Sequence, residues 1–150
     1  LETELKKTAV AFVLATASLL AMAQSTPVGL WKTIDDETHT EKSYVRITDA
    51  GGGHLTGKVE KIIDPAKANA TCTACPDDDQ KGKPIVGLTL FKDAKPDADE
   101  AGLWGDTQIL KPEDGKHYKL KMRMIDGGNK LQVRGYLGPF YKTQEWIRIE

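Results

Sequence analysis

The stretch His117-Tyr-Lys-Leu-Lys-Met-Arg-Met-Ile125 decides the fold class. Tyr118, Leu120, Met122 and Met124 fall in step, with Lys119, Lys121 and Arg123 between them. Successive side chains of a strand point to opposite faces, so a period of two marks a strand with one face buried and one in water. Asp126-Gly-Gly-Asn129 follows, and then Leu131, Val133, Gly135 and Leu137 alternate with Gln132, Arg134 and Tyr136. A Gly138-Pro139 break precedes Thr143-Gln-Glu-Trp-Ile-Arg-Ile149. Short Gly/Asn turns join antiparallel neighbours, so 117–149 is expected to form a three-stranded meander.

The rest of the chain extends this pattern toward its start. Val28-Gly-Leu-Trp-Lys32 opens a first strand, and Ser43–Thr48 forms a second with Val45 and Ile47 on one face. Asp49-Ala-Gly-Gly-Gly53 is a tight connection that needs positive φ. His54–Ile63 is a third strand, with Leu55, Val59 and Ile63 in step. Residues 64–83 form an irregular insertion carrying both cysteines and the run Asp77-Asp78-Asp79. Pro84–Phe91, apolar on both faces, reads as a fourth strand, Lys92–Ala101 as an acidic loop and Gly102–Leu110 as a fifth strand. Beyond the first 23 residues no segment shows helical spacing. Glycines inside strand patterns, at Gly57, Gly87, Gly105 and Gly135, supply the kinks that closure of a small sheet requires. Eight short antiparallel strands in meander order predict an all-β, eight-stranded up-and-down barrel, whose interior holds side chains or one small ligand. A two-sheet sandwich is the competing architecture. The short hairpin connections favour the barrel.

The chain has 150 residues, 39% hydrophobic and 29% charged, enough for one domain with a core. A net charge of -1 offers no overall electrostatic footprint for nucleic acid or anionic lipid. Lys6 and Lys7 precede an apolar stretch, Thr8–Met22, that ends in Ala21-Met-Ala23. This has the form of a secretory leader, and the apolar stretch is short for a membrane span. The expected organisation is a leader over 1–23, with Leu1–Leu5 as a preceding scar, and one barrel domain over 24–150. Export to the periplasm of a Gram-negative bacterium, or secretion, is the expected destination.

Two motifs lie at the ends that a closed meander brings together. Gly29-x-Trp31 opens the first strand, and Arg148 closes the last. Arg148 is expected across the Trp31 ring, gaining cation–π attraction and capping the barrel floor. Gly-x-Trp with a basic residue on the last strand resembles the lipocalin and wider calycin pattern. A broader set occurs in order: Gly29-Leu-Trp-Lys-Thr-Ile-Asp-Asp36, Leu55-Thr-Gly-Lys-Val59, Cys72-x-x-Cys75, Lys83-Pro-Ile-Val-Gly-Leu88 and Val133-Arg-Gly-Tyr-Leu-Gly138. Together these resemble the DUF2147 family of exported bacterial proteins. The resemblance implies a lipocalin-like barrel outside the cytoplasm and brings no catalytic residues with it. The pattern departs at Pro139-Phe-Tyr-Lys142, where a more Gly-rich turn is expected.

Cys72 and Cys75 are the only cysteines. In an exported chain they point to a structural disulfide that pins the insertion, contributing about 2 kcal/mol for so short a loop. A redox pair is the alternative. It needs a lowered thiol pKa, which the acidic run after Cys75 opposes. There is no second cysteine pair, and His39, His54 and His117 are scattered, so no zinc site is indicated. No cofactor is implied. The serines beyond the leader, Ser25 and Ser43, stand in no nucleophile elbow.

The face Tyr118/Leu120/Met122/Met124 serves as core or as the wall of a ligand site, because Met suits adaptable binding surfaces. Trp104 and Tyr136 are further candidates near the lumen or its mouth. Asp106, in step with Trp104 and Gln108, either points into the lumen as a ligand contact or faces solvent. The leading expectation is a non-enzymatic binder of a small apolar or amphipathic molecule inside the barrel. Two others stand beside it. One is a structural or protein-interaction module with a packed barrel and a disulfide-pinned loop. The other is a redox or hydrolytic enzyme.

Overall fold

The computed structural model describes residues 26–150. The expected leader lies outside the described residues. Eight strands run in chain order: β1 (Gly29–Ile34), β2 (Glu41–Asp49), β3 (Leu55–Ile62), β4 (Thr89–Pro96), β5 (Leu103–Lys111), β6 (Lys116–Ile125), β7 (Lys130–Leu137) and β8 (Phe140–Arg148). Each pairs antiparallel with the next and β8 pairs with β1, which closes the barrel and rules out the sandwich. Among the described residues no helix is long and apolar enough to cross a membrane.

Cross-strand partners share a face, so the register states which residues point inward. Leu120 opposes Gly135, Met122 opposes Val133, and Leu131 opposes Trp146. With Trp31, Val45, Ile47, Leu55 and Phe91 these side chains form one buried core. Gly57 is where that core is tightest. A Cβ there would lie 2.3 Å from Phe91 Cε1, so the absent side chain makes room for the ring.

Three boundaries differ from the sequence expectation. The fourth strand begins at Thr89, not Pro84, and runs on through Pro96. Pro84–Leu88 is drawn into the insertion instead: Pro84 bridges Thr71, Leu88 N–H donates to Ile85 O, and Gly87 adopts φ 94°. Gly87 is therefore not a strand kink, and the acidic loop shrinks to 97–102. At the other departure, Gly138 takes φ 59° beside Pro139, and β8 already starts at Phe140. A two-residue hairpin replaces the longer turn expected over 139–142.

One barrel end carries the start of β1 and the turns at 50–54, 97–102 and 126–129, and it is capped by one side chain. The Arg148 guanidinium lies 4.2 Å from the Trp31 ring centroid. Its Nε donates to Gly128 O at 2.7 Å, Nη1 to Val28 O at 3.0 Å and Nη2 to Thr26 O at 3.1 Å. Trp31 Nε1 donates to Pro27 O at 2.8 Å. Gly29 is required because a Cβ there would lie 2.3 Å from Glu150 O and 2.8 Å from Arg148 Nη1. The opposite end carries the loop 35–40, the insertion, the 112–115 turn and the Gly138-Pro139 hairpin. In the 35–40 loop the Asp35 carboxylate accepts from Thr38 N–H at 2.8 Å, Glu37 N–H at 3.0 Å and Thr38 Oγ1 at 3.0 Å. Hydrogen bonds led by that from the Thr38 N–H lower its pKa to about 2.

Two outcomes are expected. Arg148→Ala removes several charge-assisted bonds and the cation–π contact together, and lowers stability by about 3 kcal/mol, with Arg148→Lys recovering less than half. Urea unfolding checks this, and an unchanged midpoint would refute it. A carboxyl whose folded pKa is depressed stabilises above its unfolded value and loses that stabilisation as pH falls through the folded value. The 35–40 loop should therefore hold from neutral pH down and loosen only near pH 2. Amide shifts of Glu37 and Thr38 report the midpoint, and a value near 4 would contradict the geometry.

Candidate functional site

The wall foreseen along β6 spans the whole height of the barrel, and the structure divides it. Leu120 and Met122, in its middle, are 0% and 1% exposed within the packed core. Met124, toward the sealed end, meets Arg148, whose Nη2 lies 3.3 Å from its Sδ. Tyr118 stands toward the other end, half-buried, and its hydroxyl donates to Asp114 Oδ2 at 2.7 Å. That bond to a carboxylate raises the Tyr118 pKa above its usual value. Trp104 shares a face with Met122 and packs against the core, half-buried.

Two candidates lie elsewhere. Asp106 does not enter the lumen. The β5–β6 register jumps between Trp104 and Thr107, and Asp106 takes φ 59° in the resulting bulge. The bulge reverses the phase, so Thr107 faces inward opposite Leu120 and Asp106 points out. Its side chain is 81% exposed, 3.7 Å from Lys95 Nζ. Tyr136 is also on the outside. It opposes Lys119 and Tyr141, while Gly135 takes the inward position opposite Leu120.

The larger concavity lies in the barrel wall. β4 and β5 are paired only at Lys95–Gly105 and Pro96–Trp104. Beyond these pairs the strands separate. The Thr89 carbonyl accepts from Gln80 Nε2 at 3.0 Å and the Lys92 carbonyl from Thr107 Oγ1 at 2.7 Å, so side chains replace ladder bonds. The insertion folds against this gap. Cys72 and Cys75 are joined in a disulfide, S–S 1.95 Å, and bury themselves against Leu88 and Leu110. Gly115 is packed so closely under Ala74 that a Cβ would fall 1.7 Å from its carbonyl oxygen.

The result is a groove of about 670 Å³ between insertion and barrel. Leu88, Leu90, Phe91 and Leu110 form its apolar side, and Asp77, Gln80, Lys83, Thr107 and His117 its polar side. Asp77 Oδ2 lies 3.5 Å from His117 Nε2, linking the insertion to β6 across the groove. Leu90 packs against both the barrel core and the insertion's own cluster. None of these groove residues except the Asp77 run and His117 was singled out from sequence, the run for its effect on the thiols and His117 for zinc. The available signal was the Pro84–Phe91 run: an apolar run without alternation has neighbours on more than one side, here the insertion as well as the barrel. Among the described residues no group of three or more His, Cys, Asp or Glu is placed to hold a metal ion.

Comparison with known proteins agrees with this architecture. No curated protein matches the sequence. A solved structure, protein HP1028 from Helicobacter pylori, described as belonging to the lipocalin family, superposes with a TM-score of 0.67 over 83% of this chain and 84% of that one. The two are 16% identical, so the likeness is one of fold. A family model matches residues 29–148, from the first barrel strand to Arg148. The chain belongs to DUF2147, a family described as uncharacterized protein conserved in bacteria.

Proposed function

We propose that this protein is a non-enzymatic, exported binder of a small amphipathic molecule, and that the molecule sits in the lateral groove and not at the packed centre of the lumen. The observation that carries this is the apolar side Leu88/Leu90/Phe91/Leu110 facing Gln80, Lys83, Thr107 and His117 across about 670 Å³. Small-molecule sites fall at roughly 300–1,000 Å³, mostly apolar with a few polar groups that orient the ligand. An apolar tail would lie mainly on the half-buried Leu90, over the nearly closed Leu88, Phe91 and Leu110, and each Å² removed from water there contributes about 25 cal/mol. A polar head would meet Gln80, Lys83 or His117. Export rests on the leader-like segment before Ala23 and suits a disulfide-pinned insertion.

A second reading has its own support. The middle of the lumen is filled by Leu120, Met122, Trp31 and Phe91, each 2% exposed or less, as a packed interaction module would have it. In that case the insertion is a docking loop.

Native mass spectrometry of protein purified from its producing cells, followed by denaturing extraction, separates the two. The expected result is a defined extra mass that leaves on denaturation. Gln108→Trp, at an exposed groove position, should abolish that mass and weaken binding of anilinonaphthalene sulfonate at least tenfold, with the fold intact by circular dichroism. A bare mass across growth conditions, with dye binding unchanged in Gln108→Trp, would overturn the groove and favour the interaction module. Replacing both cysteines by alanine should loosen the insertion and weaken dye binding as well. The core of Trp31, Ile47 and Leu120 should survive, because it contains neither cysteine.

A further inference from the structure

The outer face of β6 and β7 carries more positive charge than the sheet needs. Facing solvent on β6 are Lys119, Lys121 and Arg123, and opposite them on β7 are Tyr136, Arg134 and Gln132. Lys121 and Arg134 are direct cross-strand partners. Like charges in that position destabilise a sheet. The whole chain has a net charge of -1, so the positive face does not follow from composition.

The nearby carboxylates do not neutralise this pair. Glu100 is held by Arg123 at 2.6 Å, and Glu145 lies 3.6 Å from Lys130. Asp97 is held mainly by the backbone N–H groups of Asp99 and Glu100, and the charge of Lys121 acts on it only from a distance. Among the described residues neither Lys121 nor Arg134 has an ion-pair partner within 4.0 Å. Tyrosines hold them instead. Lys121 Nζ is 5.6 Å from the Tyr136 ring centroid and Arg134 Cζ 5.0 Å from that of Tyr141, and the two rings are 5.3 Å apart. Arg134 Nε donates to Thr143 Oγ1 at 3.0 Å, which leaves its two terminal nitrogens without a hydrogen-bond partner among the described residues.

Between these groups lies a depression of about 160 Å³, lined by Lys121, Arg123, Arg134, Gln132, Glu100 and Tyr136. At roughly 30 Å³ per liquid water, that space fits one tetrahedral group with a few waters. We infer that this depression is a site for a single small oxyanion group of the phosphate or sulfate class, held by Arg134 and Lys121 with Gln132 donating from the side. Arg134 presents a planar fork that matches two oxygens, and Lys121 supplies a point charge. The anion relieves the repulsion between the paired cations, so binding and sheet stability rise together. Glu100, on the rim, repels the anion and sets an upper limit on affinity while it occupies Arg123. The site is separate from the lateral groove and does not rest on it.

The test is a titration of the isotope-labelled protein with inorganic phosphate and with sulfate, at constant ionic strength made up with chloride, followed by amide shifts. Saturable shifts should be confined to residues 121–123 and 132–136. Arg134→Gln and Lys121→Gln should each weaken binding at least tenfold. Glu100→Gln should tighten it severalfold, an effect that a purely structural role for these residues would not produce. Sedimentation with phosphatidylglycerol vesicles, against phosphatidylcholine vesicles, identifies the source of the group. Vesicle binding lost in Arg134→Gln places the anion on a lipid headgroup. Saturation by free phosphate with no vesicle binding places it on a soluble ion or monoester. Linear, unsaturable shifts with both anions together with no vesicle binding, or equal affinities in wild type, Arg134→Gln and Lys121→Gln, would overturn the assignment.

Discussion

The contact on which the barrel depends is the guanidinium of Arg148 over the ring of Trp31. A closed sheet must join its first and last strands, and here the strand pairs are few: β1 and β8 pair at Trp31–Arg148 and Lys32–Ile147, and Leu30 continues the seam through backbone bonds with Ile149 and Glu150. Arg148 reinforces it by tying the backbone of Thr26 and Val28 to that of Gly128, two segments about a hundred residues apart in sequence. A lysine would supply the charge without the planar fork of donors that reaches all three. The same clamp dictates its neighbours. Gly29 has no side chain because the C-terminal backbone and the guanidinium occupy its space, and Trp31 is inward because its indole both supports the cation and satisfies its own N–H on Pro27. Three residues named together in the sequence motif are thus one physical device.

Much of the fold was legible because alternation is a local signal. Tyr118, Leu120, Met122 and Met124 keep step without a break, and β6 and β7 pair through seven consecutive residues as that pattern requires. Tyr136 was legible too. It alternates with Gly135 and in step with Arg134, and simple counting puts it outside. Its aromatic character outweighed the count. Asp106 could not be placed by counting, because one bulge inverts the phase of everything after it. The hint was the Gly105-Asp106 pair, since aspartate is among the few residues that tolerate φ of 59°. Gly105 itself passes under β6, where a Cβ would lie 2.8 Å from Leu120 O.

The site was less legible than the fold for a different reason. A groove between an irregular insertion and two splayed strands depends on contacts between distant residues, such as Cys72 and Cys75 on Leu110 and Gly115 under Ala74. No periodicity encodes these. Composition supplied only the pieces: a disulfide-sized spacing, an acidic run and an apolar run without alternation. The last of these was informative, because an apolar run does not stay apolar on every side unless something covers it.

The two thin seams of the barrel explain why the groove is where it is. At β1–β8 a short ladder, continued by Leu30 with Ile149 and Glu150, is reinforced by one half-buried cation whose donors reach carbonyls and the Met124 sulfur. At β4–β5 the ladder is replaced by Gln80 and Thr107, each of which satisfies one carbonyl and leaves space beside it. A seam closed by a rigid fork at the sealed end keeps the barrel in register. A seam bridged by side chains from a pinned insertion and from β5 itself can hold a guest without breaking backbone ladders. The bulge at Asp106 separates the two behaviours along β5: before it the strand pairs with β4, and after it the strand pairs with β6 alone and turns its other edge to the groove. Trp31, Ile47 and Leu120 do not line this flank, and the groove meets the barrel core only through Leu90 and Phe91.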